Sequence, residues 1–398
     1  MTGNSHLSYR SSLPADAHQP FLDLLRCLAA LLVLLGHTRG LLFSSFQDVA
    51  HSGLGTKIFY FLTGIHREGV AIFFAVSGFL VGGAAWRAIR EGRFHAPAYL
   101  ASRFARIYVV LLPALALTFL LDWAGRTVLS DTRFYGVRPL LPMGLNSNWT
   151  WEQLACNLGA VQGIFCRPLG ANPPLWSLGY EWVFYLLAPI LFGLCLSRRP
   201  ALLRVCATAL LFLGVAHLAG GFAKWVPWLA IWLAGALAAQ VARRHALPLT
   251  AGLAGIGLVA VGFLVSRLQA VPPVCTDLIV GLGTALAIAN SRLLAWCPLP
   301  GLVRTGADFS FSLYLIHVPV TVLLGAFLER LGWPPSLVAP GLPAYLAFSC
   351  LVTGALVAAF AFAQATERHT GKVRRLLLGQ GRGPAPARPT PHEPPIFS

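Results

Sequence analysis

Two ionisable side chains lie inside the first long apolar stretch, which reads DLLRCLAALLVLLGHTRG from Asp23 to Gly40. Arg26 and His37 are eleven residues apart, close to three helical turns, so they share one face with about 16 Å between them along the axis. Ionisable groups are expensive in such a segment and mark a functional site by default. Plainer uses exist for both. Arg26 can snorkel to the headgroups and pair with Asp23 one turn earlier, and His37 can be satisfied by neighbouring helices. An imidazole also titrates near neutral pH, which makes it a proton acceptor or donor for chemistry.

Other chemistry-bearing residues recur at helical spacing. Arg103 and Arg106, in RFAR, stand at i and i+3 on one face. They are expected at a helix start, where free N–H groups and the positive dipole end favour anions. Two guanidiniums there would make a phosphate clamp; the simpler role is anchoring at the inner surface. In NPPLWSLGYEWVFYLLAP, Pro173 and Pro174 suit a helix start, followed by Trp176. Ser177, Glu181 and Tyr185 follow at intervals of four and face one way. A carboxylate such as Glu181 inside a membrane helix needs a partner. His317 precedes Pro319 in FSFSLYLIHVPV, and the proline frees a backbone carbonyl that a neighbour must satisfy. Ser77, Gly78, Gly82 and Gly83 permit close helix approach, and Glu68 suits a helix N-terminus.

These groups must be positioned by membrane helices. The chain has 398 residues, 56% hydrophobic and 11% charged, against about 25% charged in soluble proteins. Apolar runs long enough to span a bilayer lie near residues 21–43, 67–86, 106–122, 174–196, 202–219, 225–241, 249–266, 275–293, 308–328 and 342–364. The expected fold is an all-α integral membrane protein of about ten transmembrane helices. With both termini in the cytoplasm, the inner segments carry roughly twice as many basic residues as the outer ones, and the reverse orientation inverts that bias. The net charge of +16 is thereby accounted for without nucleic acid. No basic n-region or cleavage site precedes the first run, so it reads as a retained helix rather than a signal peptide.

Three units are expected: a cytoplasmic segment 1–20, a transmembrane domain 21–365, and a basic, Pro-rich, disordered cytoplasmic tail 366–398. The longest outer connection, from Asp122 to Pro173, carries Trp149 and Trp151, which suit the membrane interface. It also holds Cys156 and Cys166, which an oxidising compartment would allow to pair; spacing alone leaves the pairing open.

In these residues the sequence resembles the acyltransferase 3 family of integral membrane acyltransferases, which modify bacterial surface glycans and related molecules. The shared motifs are Arg26 with His37, GVAIFFAVSGFL from Gly69 to Leu80, Arg103 with Arg106, LWSLGYEWVFYLLAP and SLYLIHVPV, in order along the chain. Ala71 and Trp182 depart from the family pattern, which often has acidic residues there. The short tail fits the stand-alone form.

The resemblance implies an O-acyltransferase of the bacterial inner membrane with no tightly bound cofactor and no metal. The donor would be cytoplasmic acyl-CoA, chiefly acetyl-CoA, with its phosphates at Arg103 and Arg106 and its thioester near His37. Arg26 would sit on the donor side. The acceptor would be a hydroxyl of an extracytoplasmic glycan or lipid-linked saccharide. His37 would act as general base or carry the acyl group transiently; Glu181 would orient the imidazole or the acceptor, with Ser177, Trp176 and His317 as further candidates. This picture requires that His37 and the two arginines border one passage through the bilayer. A secondary transporter of a small anion or lipid-linked sugar is the alternative, although no pair of matching broken helices is evident.

Overall fold

The computed structural model describes residues 19–49, 53–136, 149–218, 224–269, 271–335 and 338–379. The expected segment 1–20 therefore lies almost wholly outside the described residues, as do residues 380–398 of the tail. Among the described residues the chain is helical apart from turns and two isolated β-bridges, which bears out an all-α membrane protein.

Each apolar run carries a helix. In chain order these are α1 (Pro20–Leu42), a second span broken into α2 (Leu54–Leu62), α3 (His66–Ser77), a π-turn at Gly78–Gly82 and α4 (Gly83–Arg90), then α5 (Ala96–Val128), the short loop helix α6 (Trp151–Leu158) and α7 (Trp176–Leu196). They continue with α8 (Ala201–Leu218), α9 (Val226–Arg244), α10 (Leu249–Leu268), α11 (Pro273–Ile288), the short α12 (Ser291–Leu294), α13 (Pro300–Arg330), α14 (Leu342–Ala365) and α15 (Thr370–Leu377). Among the described residues eight segments are long and apolar enough to cross a bilayer; the stretches at α8 and α11 are apolar but shorter.

α1 is the axial element, packed on α13, α3 and α14. Its buried Ala29, Ala30, Val33 and Leu34 lie in the main core. α9 closes against the π-turn through glycines: a Cβ at Gly78 would fall 1.8 Å from the Trp232 carbonyl oxygen, and one at Gly235 would fall 2.0 Å from that of Ala75. Backbones touch there because neither residue has a side chain, the close-approach role of small residues in membrane packing. A π-turn inside a helix commonly sits at a functional site, and here it follows directly on Ser77.

Two expectations change, and one question left open is answered. α5 begins at Ala96, with Pro97 in its first turn and the His95 side chain accepting from the Ala98 N–H. Arg103 and Arg106 therefore lie about two turns inside a helix, and the free N–H groups of a helix start are not available to them. The tail also does not become irregular at residue 366. Glu367–His369 forms a short 3-10 turn leading into α15, which packs on α5, because Glu367 is tied to α5 and α13 by hydrogen bonds described below. Cys156 and Cys166 form a disulfide at the end of the molecule opposite the clustered arginines.

Candidate active site

α1 and α13 both start at the arginine-rich end and run the same way. His37 and His317 each lie seventeen residues past the first residue of their helix, at the same depth of about 25 Å. The two rings meet: Nδ1 of His37 is 2.9 Å from Nε2 of His317. Nδ1 of His317 in turn lies 3.0 Å from the Leu313 carbonyl and 2.9 Å from that of Tyr314. Carbonyl oxygens only accept, so in the neutral ring the His317 proton sits on Nδ1 and its Nε2 is an acceptor. His37 must then donate from Nδ1, which leaves Nε2 of His37 with its lone pair.

The same stretch of α13 is held by the proline expected to disturb it. Pro319 has no N–H for the Leu315 carbonyl, and the Asn172 amide donates to that oxygen at 2.7 Å. The Thr321 hydroxyl donates to the His317 carbonyl at 2.8 Å. The kink-prone turn is thus satisfied, and His317, 1% exposed, is fixed in place. A third ring joins from α3: His66 lies 5.1 Å from His37 between centroids. It approaches α1 over Gly36, where a Cβ would fall 2.4 Å from that of His66.

A cavity of about 760 Å³ opens from the arginine-rich end. Arg26, Arg103, Arg106 and Arg374 line it, with Ser77, Ser177, Glu181, Tyr185 and Tyr314 further along. The arginines differ in what they can offer. Arg106 donates to Glu367 at 2.7 Å and lies over the Phe311 ring at 4.6 Å. Glu367 is nearly buried, and its other oxygen accepts from the Ser312 N–H at 3.1 Å and the Ser312 hydroxyl at 2.8 Å. Arg106 is therefore a structural clamp of the tail. Arg103 makes a hydrogen bond with Ser102 at 2.9 Å and lies over Tyr99 and Tyr185, without a carboxylate partner among the described residues. Arg26 donates to the Ala307 carbonyl at 3.0 Å and pairs with Asp23 at 3.5 Å.

Glu181 belongs to this cavity and does not touch the imidazoles. Its Oε1 accepts from Ser77 at 2.6 Å and Tyr185 at 2.5 Å, and the Trp232 indole N–H donates to Ser77 at 3.2 Å. The last residue of α3 and α7 thus supply the carboxylate with partners, while His317, not Glu181, orients His37. Trp176 packs on Trp228 and Tyr180 and is not part of the cavity wall.

The cavity does not reach His37. Tyr314 stands across its deep end. Its hydroxyl donates to the Pro174 carbonyl at 3.0 Å and is 2.6 Å from that of Ser177, so Ser177 is the donor to Tyr314. Its ring contacts Phe73 at 5.6 Å and His317 at 6.0 Å between centroids. The continuous passage expected between His37 and the arginines is therefore interrupted by one aromatic side chain. Beyond the histidines, a second cavity of about 320 Å³ at the opposite end has His66 in its wall. The order along the bundle axis is arginine cavity, Tyr314, His317 with His37, His66, second cavity.

The sequence pointed to Arg26, His37, Arg103, Arg106, Trp176, Ser177, Glu181 and His317. It missed Tyr314, which lies inside the SLYLIHVPV motif beside His317, and His66, which immediately precedes Arg67 and Glu68. It also missed Glu367 and Arg374, because both lie in a segment read as tail.

A family model described as an acyltransferase domain matches residues 19–364. The chain is 30% identical over 336 residues to Acyltransferase MdmB of Streptomyces mycarofaciens, covering 77% of this chain and 80% of that protein. An uncharacterized protein of Haemophilus influenzae is 28% identical over 131 residues, 32% of this chain and 49% of that one. No solved structure matches. With the two histidines, the arginine cavity and this match running from the start of α1 to the end of α14, the chain belongs to the acyltransferase 3 family and is an integral membrane acyltransferase.

Proposed function

We propose that the protein moves an acyl group, chiefly acetyl, from cytoplasmic acyl-CoA to a hydroxyl of an extracytoplasmic glycan or related acceptor. The observation that carries this reading is the His37–His317 hydrogen bond, set between two cavities that approach it from opposite ends. The membrane would be the bacterial inner membrane, with the arginine-rich end cytoplasmic.

In this reading the arginine cavity takes the donor. Arg103 and Arg374 are the guanidiniums for its phosphates, since Arg106 is occupied by Glu367. The thin arm of the donor runs along the cavity toward Ser77 and Ser177, and Tyr314 turns aside to admit the thioester to His37. The acceptor hydroxyl enters from the opposite end. Nε2 of His37 takes the hydroxyl proton as the oxygen attacks the thioester carbon. The C–S bond then breaks, and the leaving thiolate takes that proton back from the imidazolium. His317 keeps Nδ1 of His37 protonated throughout, so Nε2 is the nitrogen that cycles.

The test is transfer of label from acetyl-CoA by the purified protein in lipid nanodiscs, scored by mass spectrometry of surface glycans with and without the protein. Label on a glycan supports the reading. Movement of a sugar or anion across the bilayer without covalent transfer would replace it with a carrier.

A further inference from the structure

The second cavity has its own chemistry. Its wall includes His66, Arg67, Glu68, Ser266 and Arg267, from α3 and α10, and it lies at the end opposite the donor cavity. Its volume of about 320 Å³ falls at the small end of the range for small-molecule sites, about 300–1,000 Å³.

The charges in that wall are unequally matched. Arg67 is taken by Asp277, with Nε 2.9 Å and Nη2 2.6 Å from Oδ2. Glu68 accepts the Ser266 hydroxyl through Oε1, while its Oε2 is buried without a partner. Arg267 reaches only the Ser266 oxygen, at 3.2 Å, and has no carboxylate partner among the described residues. Its guanidinium packs against the turn before α3: a Cβ at Gly64 would fall 2.0 Å from Nη1. Arg39 stands close by on α1, two residues past His37, over the Tyr60 ring at 5.2 Å. Its Nε and Nδ1 of His66 are buried without partners. The charges of Arg39 and Arg267 both act on His66. Arg267 in the wall and Arg39 outside it both place positive charge near the His66 imidazole, and Glu68, the one carboxylate in the wall among the described residues, matches only part of it, leaving a positive excess. An anion would offset it, and charge-assisted bonds from arginine to carboxylate or phosphate are the strong class. The spare oxygen of Glu68 adds an acceptor suited to a sugar hydroxyl.

We infer that this cavity binds the acceptor, and that the acceptor is an anionic saccharide whose phosphate or carboxylate is held by Arg267 while a hydroxyl faces His66 and His37. The inference rests on the acyltransferase reading and names the substrate class for it.

The test uses the full chain in nanodiscs with coenzyme A saturating, and equilibrium dialysis of three tritiated probes: methyl glucoside 6-phosphate, methyl glucuronoside and methyl glucoside. At least one charged probe is expected to bind about tenfold tighter than the neutral one, the worth of one charge-assisted bond. Preference for the phosphate or the uronate identifies which anion the site takes. Arg267→Gln is expected to erase that advantage, with Arg267→Lys restoring part of it. Arg267 is exposed and outside the catalytic contacts, so the variant tests binding rather than folding. Equal binding of all three probes, or charged-probe binding unchanged in Arg267→Gln, overturns the inference. Label transfer from acetyl-CoA is scored in parallel. Transfer to the neutral sugar with no charge preference keeps the acyltransferase reading and removes this one. A charge preference that depends on Arg267, without any transfer, does the reverse.

Discussion

Nδ1 of His37 lies 2.9 Å from Nε2 of His317, and the far nitrogen of His317 is anchored on two carbonyls of its own helix. This chain of contacts sets the tautomer of His37, and under the proposed function it gives the two residues unequal roles. His37→Ala is expected to lower acyl transfer by about 10²–10⁴, the contribution of a general base. Size-exclusion elution and melting temperature should stay near wild type. Turnover at the wild-type rate would remove His37 from the mechanism.

Under the proposed function His317 positions His37. His317→Gln should lower kcat with little change in the KM for acyl-CoA, and should shift the pH–rate profile, because the His37 proton is no longer held on Nδ1. A purely structural role predicts lost expression or a lowered melting temperature with an unchanged profile in the protein that survives.

Arg103 and Arg106 are predicted to separate. Arg103→Gln should raise the KM for acyl-CoA and leave thermal stability alone. Arg106→Gln strands the nearly buried Glu367 carboxylate and should cost about 2–3 kcal/mol, read as a lower melting temperature. Equal effects of the two variants on donor affinity, with no difference in melting, would restore the pair as a shared phosphate clamp.

Tyr314 lines the arginine cavity and packs against His317. Tyr314→Phe keeps the ring and loses only the hydroxyl contacts, at about 1 kcal/mol. Tyr314→Ala opens the partition and should raise acceptor-independent hydrolysis of acyl-CoA, measured as thiol release. Unchanged hydrolysis in the alanine variant would mean that the partition does not control access.

The contact of the π-turn with α9 is tight enough to test packing alone. Gly78→Ala places a methyl 1.8 Å from a backbone oxygen, so the helices must separate. A loss of about 1–3 kcal/mol or more is expected, together with displacement of Ser77 from Glu181. A melting temperature equal to wild type would show that the two helices are looser than described.

Local pattern made much of this protein legible in its sequence. Apolar runs of spanning length announced the helices, because a bilayer demands length and hydrophobicity from each segment separately. Helical spacing placed Glu181 and Tyr185 on one face, and they are hydrogen-bonded. Arg26 and His37 were evident because a charged or titratable group stands out in an oily helix. What spacing could not supply was the partner across space. His37 meets a residue 280 positions away, and Arg106 meets one 261 positions away. Glu181 accepts from Ser77 rather than facing the imidazole, and the Tyr314 ring stands between the arginine cavity and His317. Those outcomes depend on which helix faces pack together, and in a membrane that is decided by close steric fit and the satisfaction of buried polar groups, properties of the assembled bundle rather than of any one segment.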